Sequence, residues 1–201
     1  MLLLVALIVI GVVIYSISSG CRTYSLRYGV FTLDRDRVSP GYTLLAPFTR
    51  FKNAPGGTVY LLDLLGKPVH IWQTAYQVMS AKLTRNSSLF IMGIDNPDSS
   101  LPGGKGGVIQ ELDWNGKVIW EYRNELMHHD FDVLPNGNVV LLIWEDTPLK
   151  IAQQLKGGVK DTEYKGRVLS DAVIEINRHG EIVWTWHFYE YLDPEKDFLG
   201  S

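Results

Sequence analysis

The sequence has one cysteine, Cys21, among its 201 residues. A lone thiol excludes an intrachain disulfide framework and a zinc site built from several cysteines. GxSxG, GxGxxG and CxxC are all missing. Their absence removes the signatures of a nucleophile elbow, a dinucleotide fold and a thiol redox pair, and no cofactor is expected. Neither sign of charge dominates: the net charge is −3 and the basic residues form no stripe, which argues against a nucleic-acid partner. What the chain does have is six Trp, ten Tyr and nineteen Gly. That mixture belongs to β-rich chains with many tight turns.

One long apolar run stands apart. Leu2–Gly20 carries no charge, and at about 1.5 Å per helical residue it spans about 30 Å, the thickness of a hydrocarbon core. Residues 1–21 are therefore expected to form a transmembrane anchor, giving the protein a membrane partner. A cleaved signal segment is the competing reading, although the basic start it needs is missing. Arg22, Arg27, Arg35 and Arg37 follow the run and no basic residue precedes it, so the positive-inside rule puts the domain in the cytoplasm. Residues 22–40 are polar and read as a linker. Gly41–Phe48 reads as a first strand of a domain covering 41–201.

The domain is organised around Gly106–Glu145. Val108–Leu112 and Lys117–Tyr122 flank Asp113-Trp114-Asn115-Gly116, whose Asp and Gly fit a type I turn closed by a left-handed glycine. His128–Leu134 and Val139–Trp144 flank Pro135-Asn136-Gly137-Asn138, where Asn and Gly both tolerate positive φ. Two hairpins in a row predict a four-stranded antiparallel meander. The pattern recurs: GTVYLLDLLG from Gly57, GVIQELDWNG from Gly107 and DAVIEINRHG from Asp171. An aromatic stands six residues past each closing glycine (Trp72, Tyr122, Trp186), and His70, Trp120 and Trp184 stand four past it. Asn86-Ser87-Ser88 precedes Asn136-Gly137-Asn138 by fifty residues, so the first two copies stay in register. A period near fifty with four strands per period predicts an all-β protein, a β-propeller of four-stranded blades, with about three blades in this chain. The third copy stops early, which reads as a partial propeller.

Two connectors interrupt the repeat. Asp95–Gly107 is a turn-rich loop with Lys105 among glycines, read as a flexible connector. Asp146–Gly157 predicts a short helix capped by Thr147, with Pro148 first inside and Gly157 at the end.

Aligning the two full copies sets Val78-Met79-Ser80 against His128-His129-Asp130. Two apolar residues and a serine give way to groups that transfer protons, bind anions or hold metals. Strand alternation places His128 and Asp130 on one side and His129 and Phe131 on the other, which favours His128 as the channel-facing residue. Three readings stand at this point: structural histidines hydrogen-bonded at a blade edge, a metal pair with Asp130, or a nucleophile or acid–base group. Metal is awkward because adjacent strand residues point apart and no HxH or HxxxH partner exists. Glu145 and His187 are further candidate substrate-binding groups at strand ends, with Asp130. His70 reads as packing, and Arg178 and His179 as solvated turn residues.

The ordered set resembles the bacterial arylsulfate sulfotransferase family. The resemblance rests on Pro40-Gly41-Tyr42-Thr43-Leu44, Gly107–Tyr122, His128-His129-Asp130-Phe131 with Leu134-Pro135-Asn136-Gly137-Asn138, Trp144-Glu145, Asp171–Gly180, and Trp184-Thr185-Trp186-His187 with Leu192-Asp193-Pro194. It implies a six-bladed propeller outside the cytoplasm, against the charge rule. It also implies small-molecule partners: a sulfuryl group passes from an aryl sulfate to a phenol through a histidine intermediate, with no nucleotide sulfate. The family's later histidine motifs, associated with the nucleophile, have no counterpart before Ser201. The resemblance therefore carries over only His128 and His129, as catalytic residues that bind the sulfuryl group or transfer protons. A non-catalytic propeller that binds or scaffolds in the cell envelope is the alternative from another class.

Overall fold

The structure, a computed structural model, describes residues 33–34, 36–48, 56–95, 103–157, 166–193, 196 and 198–199. The expected anchor at 2–20 and most of the linker lie outside these residues. Among the described residues no helix is long and apolar enough to cross a membrane. The chain divides between Val38 and Ser39 into two units. In the described part of the first, the Arg37 and Val38 amides both donate to the Asp34 carbonyl.

The second unit is built of antiparallel sheets laid down in chain order. Strands β1 (Thr43–Leu45), β2 (Gly57–Leu62) and β3 (Pro68–Thr74) make the first. The second is β4 (Gln77–Leu83), β5 (Leu89–Ile94), β6 (Gly107–Leu112) and β7 (Val118–Arg123). The third is β8 (Met127–Val133), β9 (Val139–Asp146), β11 (Leu169–Ile176) and β12 (Ile182–His187). Between β9 and β11, β10 (Lys156–Gly157) leaves the sheet and pairs in parallel with β13 (Phe198–Leu199). The first strand is thus shorter than Gly41–Phe48.

The repeat period of the sequence is correct, but its phase is not. Gly106–Glu145 is not one meander: β6 and β7 close the second sheet, and β8 and β9 open the third. Alternation within a hairpin cannot reveal this, because the sheet boundary depends on whether β7 pairs with β8. Here β7 ends as an edge strand, and residues 124–126 carry the chain to the next sheet.

Five hairpin turns share one geometry. In each, the first residue's amide donates to the carbonyl four positions on, and the fourth residue's amide donates back, as in Asp113–Lys117 at 2.9 Å and Gly116–Asp113 at 3.0 Å. The fourth position needs positive φ and is Gly66, Gly116, Gly137 or Gly180, but Ser87 in the β4–β5 turn. In the Asn136-Gly137 turn only Gly137 has positive φ. Asn136 instead turns its side chain inward, accepting from the Asn138 amide at 3.0 Å, so the two-residue mirror-image turn is not formed.

Both faces of the second sheet are covered, which explains why β5 (LFIMGI) is a continuous apolar run rather than an alternating one. Leu89 and Ile91 pack with Val59, Leu61 and Trp72 of the first sheet. Phe90 and Met92 pack with Met127, Phe131, Leu141 and Ile174 of the third. Each junction is also stapled by an aromatic ring on the outermost strand. His70 Nε2 lies 2.8 Å from the Trp114 carbonyl and its ring stacks on the Trp114 indole. The equivalent Trp120 donates Nε1–H to the Arg178 carbonyl at 2.8 Å, with the Arg178 guanidinium over its ring. His70 is packing, as expected. Arg178, expected in solvent, also pairs with Glu111 and so ties the third sheet to the second.

The helix between β9 and β10 is a single turn, α1 (Leu149–Ala152). Asp146 belongs to β9 and Gly157 to β10. Pro148 stands at the cap position with no side-chain cap bond, and the Thr147 hydroxyl is buried without a partner. The expected Thr147 cap is therefore not made: the Thr147 amide pairs with the Val168 carbonyl at 2.9 Å, just past the end of β9.

Candidate functional site

The histidines sit where β8 breaks its ladder with β9. His128 pairs with Leu142, and the next paired residue, Phe131, sits opposite Leu141. Two residues, His129 and Asp130, are therefore extruded against none on the partner. His129 has φ +56, the left-handed region that a non-glycine residue occupies at a cost of about 1–2 kcal/mol. Neighbouring interactions hold it there. The His129 amide donates to the Gly104 carbonyl at 2.6 Å, and Lys105 forms an antiparallel bridge with His128. The Asp95–Gly107 connector is thus tied to β8 at its described end, and Lys105 is part of that tie.

The bulge overturns the expected alternation. His128 turns inward and is 3% exposed, while His129 is exposed. Their rings meet: the two Nδ1 atoms are 2.8 Å apart with the ring planes at 89°. His128 stacks on the buried Trp144 indole, centroids 4.2 Å apart at 24°. Its Nε2 lies 3.3 Å from Asp171 Oδ1 on β11, an ion-pair distance without the alignment of a hydrogen bond. Burial lowers the His128 pKa from its ordinary 6.5 and the neighbouring His129 lowers it further, against the opposing pull of Asp171 and the Ile143 carbonyl. His128 is accordingly a neutral imidazole at neutral pH. The His129 ring lies over Gly104 so closely that a Cβ at residue 104 would overlap it.

Asp130 does not orient His128. Its Oδ1 accepts from the Ser80 hydroxyl at 2.7 Å, and Lys82 Nζ is 3.4 Å from Oδ2. Burial would raise its pKa, but Ser80, the Phe131 amide and Lys82 outweigh it and hold the carboxyl below its ordinary range. Asp130 thereby links the first strands of adjacent sheets. Ser80 and Asp130 hold the same position in the repeat, so equivalent groups on β4 and β8 meet, as neighbours turned about a common axis do.

Glu145 and His187 form a separate pair. His187 Nδ1 is 2.7 Å from Glu145 Oε2, and the carboxylate crosses β11 over the small residues Ser170 and Ala172, which pair with Glu145 and His187. They share the face of sheet three that carries Ile143, whereas His128, Trp144 and Asp171 share the other. The sheet itself separates the two groups. A cleft of about 740 Å³ opens elsewhere, toward the hairpin turns, lined by Lys82, Arg85, Phe90, Asp132 and Arg178. Neither His128 nor His129 lines it. Among the described residues no group of three His, Cys, Asp or Glu side chains could hold a metal.

Two contributors escape sequence reading. Asp171 had a signal: it opens the third copy where the first two copies have glycine, Gly57 and Gly107. Gly104 had none, because one glycine among several in a loop does not declare which ring it accommodates.

Successive antiparallel sheets, one of them with an imidazole pair on its first strand, are those of a protein built from repeated blade-like units. The profile of one family, arylsulfotransferase (ASST), matches residues 48–200, and the chain belongs to that family. No individual curated protein matches it.

Proposed function

We propose that the chain transfers a sulfuryl group from an aryl sulfate ester to a phenolic acceptor through a histidine intermediate, with its sheets as blades of a β-propeller. One observation carries this reading: the exposed His129 imidazole is braced at Nδ1 by the buried His128, and no bond to a described residue occupies its Nε2. In the first step the Nε2 lone pair of His129 forms a bond to sulfur as the sulfur–aryl oxygen bond breaks. The phenolate departs with that electron pair and takes a proton from water. The acceptor's phenolic oxygen then bonds to sulfur, its proton passes to solvent, and the N–S electron pair returns to the ring. A neutral imidazole is a competent nucleophile near pH 7.

The other charged groups fit this assignment. The ionised Asp130 carboxylate would repel a sulfate, so its role is to fasten β4 to β8. Ser80 spends its one hydroxyl hydrogen on Asp130, so the donor beside it for sulfuryl oxygens is the Lys82 ammonium, which has more than one N–H. Glu145 and His187 lie on the far face, so any part they take in binding substrate is apart from the imidazole pair. The reading puts the domain outside the cytoplasm on an anchor at residues 2–20; retention of the chain in membranes after carbonate washing would support the anchor, and protection of the domain from protease added to intact cells would count against the outside location.

The test uses a chromogenic aryl sulfate with and without added phenol. His129→Ala should lower phenol release per folded molecule by about 100-fold or more, beyond the stability lost by leaving His128 Nδ1 unpaired. A sulfuryl adduct should appear on the peptide containing His129. Undiminished turnover in His129→Ala would remove the assignment. Tight binding of aryl sulfate without turnover would favour a non-catalytic envelope module.

A further inference from the structure

We infer that Asp171, His128 and His129 form a hydrogen-ordering chain that places the lone pair of His129 on Nε2, with Asp171 as a positioning residue. The argument starts from the contact between the rings. Two imidazole nitrogens 2.8 Å apart attract only if one carries hydrogen and the other a lone pair; two N–H groups or two lone pairs repel. One of the two Nδ1 atoms must therefore be the donor.

Asp171 decides which. If His128 donated from Nδ1, its Nε2 would present a bare lone pair to a carboxylate oxygen 3.3 Å away, inside a site where His128 is almost fully buried. Like-signed electron density at that distance is unfavourable, most of all where water is excluded. Hydrogen on His128 Nε2 turns that contact into an attraction, and a small rotation of the exposed Asp171 side chain aligns it. His128 Nδ1 then accepts, His129 Nδ1 donates, and His129 Nε2 keeps its lone pair. Each ring nitrogen's state follows from the partner of the other nitrogen. Trp144 stacked on His128 fixes the plane in which this occurs. Gly104 leaves the space in which the His129 ring lies. No bond to a described residue occupies His129 Nε2.

What His129 Nε2 does with its lone pair rests on the sulfuryl-transfer reading, but the hydrogen positions do not. Histidine-selective ¹⁵N NMR on the full chain at neutral pH reads them directly. His129 should carry its hydrogen on Nδ1 and His128 on Nε2. Asp171→Asn can also donate toward Nε2, so it should release the preference and move hydrogen onto His129 Nε2 in part or in full. The same variant should lower kcat for aryl sulfate cleavage by about 10-fold or more with KM little changed. Asp171→Ala serves as the second variant, and it should mix the tautomers without reversing them. Hydrogen on His129 Nε2 in the unaltered protein would overturn the inference whether or not the protein turns over. So would tautomers that neither Asp171 variant changes. Ordered tautomers in a protein without turnover would keep the chain of hydrogens and remove only the sulfuryl reading.

Discussion

Strands β4 and β8 start their sheets at the same place in the repeat, and each runs into a hairpin of the same geometry. From Ala81 and Phe131 onward they correspond residue for residue, fifty apart: Ala81 faces Ile91 and Phe131 faces Leu141. Before that point they diverge. β4 extrudes one residue, Met79, between Val78 and Ser80; β8 extrudes two. Judged by partners, Val78 opposite Gly93 corresponds to Met127 opposite Ile143, and both are buried core residues. His128 therefore does not replace Val78. The core position is kept by Met127, and β8 gains one residue within its bulge. A polar site has been added beside an apolar core rather than cut out of it. Bulges next to sites commonly re-aim a side chain in this way.

The largest effect on this difference should come from Gly104→Ala. Residue 104 has φ +80 and lies against the His129 ring, so the methyl group must displace the ring or the loop. A stability loss of about 1–3 kcal/mol is expected from the backbone conformation and the overlap together, with sulfuryl transfer falling alongside. β4 has no ring at its bulge, and its hairpin should stay as protected from hydrogen exchange as before. Equal loss of protection in both hairpins would mean that the bulge is not a local device.

Acid should separate the two strands next. The His128 pKa is lowered in the folded chain, chiefly by burial, so the unfolded chain binds more protons at mildly acidic pH. The stability gained by keeping this ring neutral is full above about 6.5 and is lost as pH falls through the lower folded value. β4 carries no such group. Denaturant midpoints between pH 7 and pH 5 should fall more steeply in the unaltered chain than in His128→Gln. Identical slopes would show that His128 is solvated rather than buried.

The smallest effect reverses the comparison, because here β4 bears the cost. Its hairpin places Ser87 at φ +62 where the β8–β9 turn has Gly137. Ser87→Gly should stabilise the chain by about 0.5–1 kcal/mol, since the strain relieved exceeds the added freedom of the unfolded chain. Thermal melts resolve a change of that size. No gain would mean that the Ser87 conformation is compensated by contacts of its own.

Much of the architecture was legible in the chain. The fifty-residue register gave the repeat, and the turn sequences gave the hairpins, because tight turns impose residue types that local sequence displays. Three of the ring positions four and six past the turns, His70, Trp72 and Trp120, reach carbonyls of the next sheet, which the sequence did not foretell. The phase of the sheets was not legible. β7 could pair onward to β8 or end a sheet, and both arrangements bury the same alternating faces. The helix after β9 was foreseen in place but overextended, because Thr147 was read as a cap while its amide is bonded to the Val168 carbonyl, just before β11.

The sequence by itself determined that this chain folds as repeated β-hairpins, and that one copy alone carries adjacent histidines followed by an aspartate. Those are facts of local composition and spacing, and they survive any rearrangement of the sheets. Tertiary structure alone decided which imidazole is buried and which is exposed, and it replaced Asp130 by Asp171 as the carboxylate beside His128. The physical reason is the bulge. Two unpaired residues and one left-handed backbone angle break the alternation on which a strand's sequence can be read, and the carboxylate that then meets His128 comes from Asp171, 43 residues further along the chain.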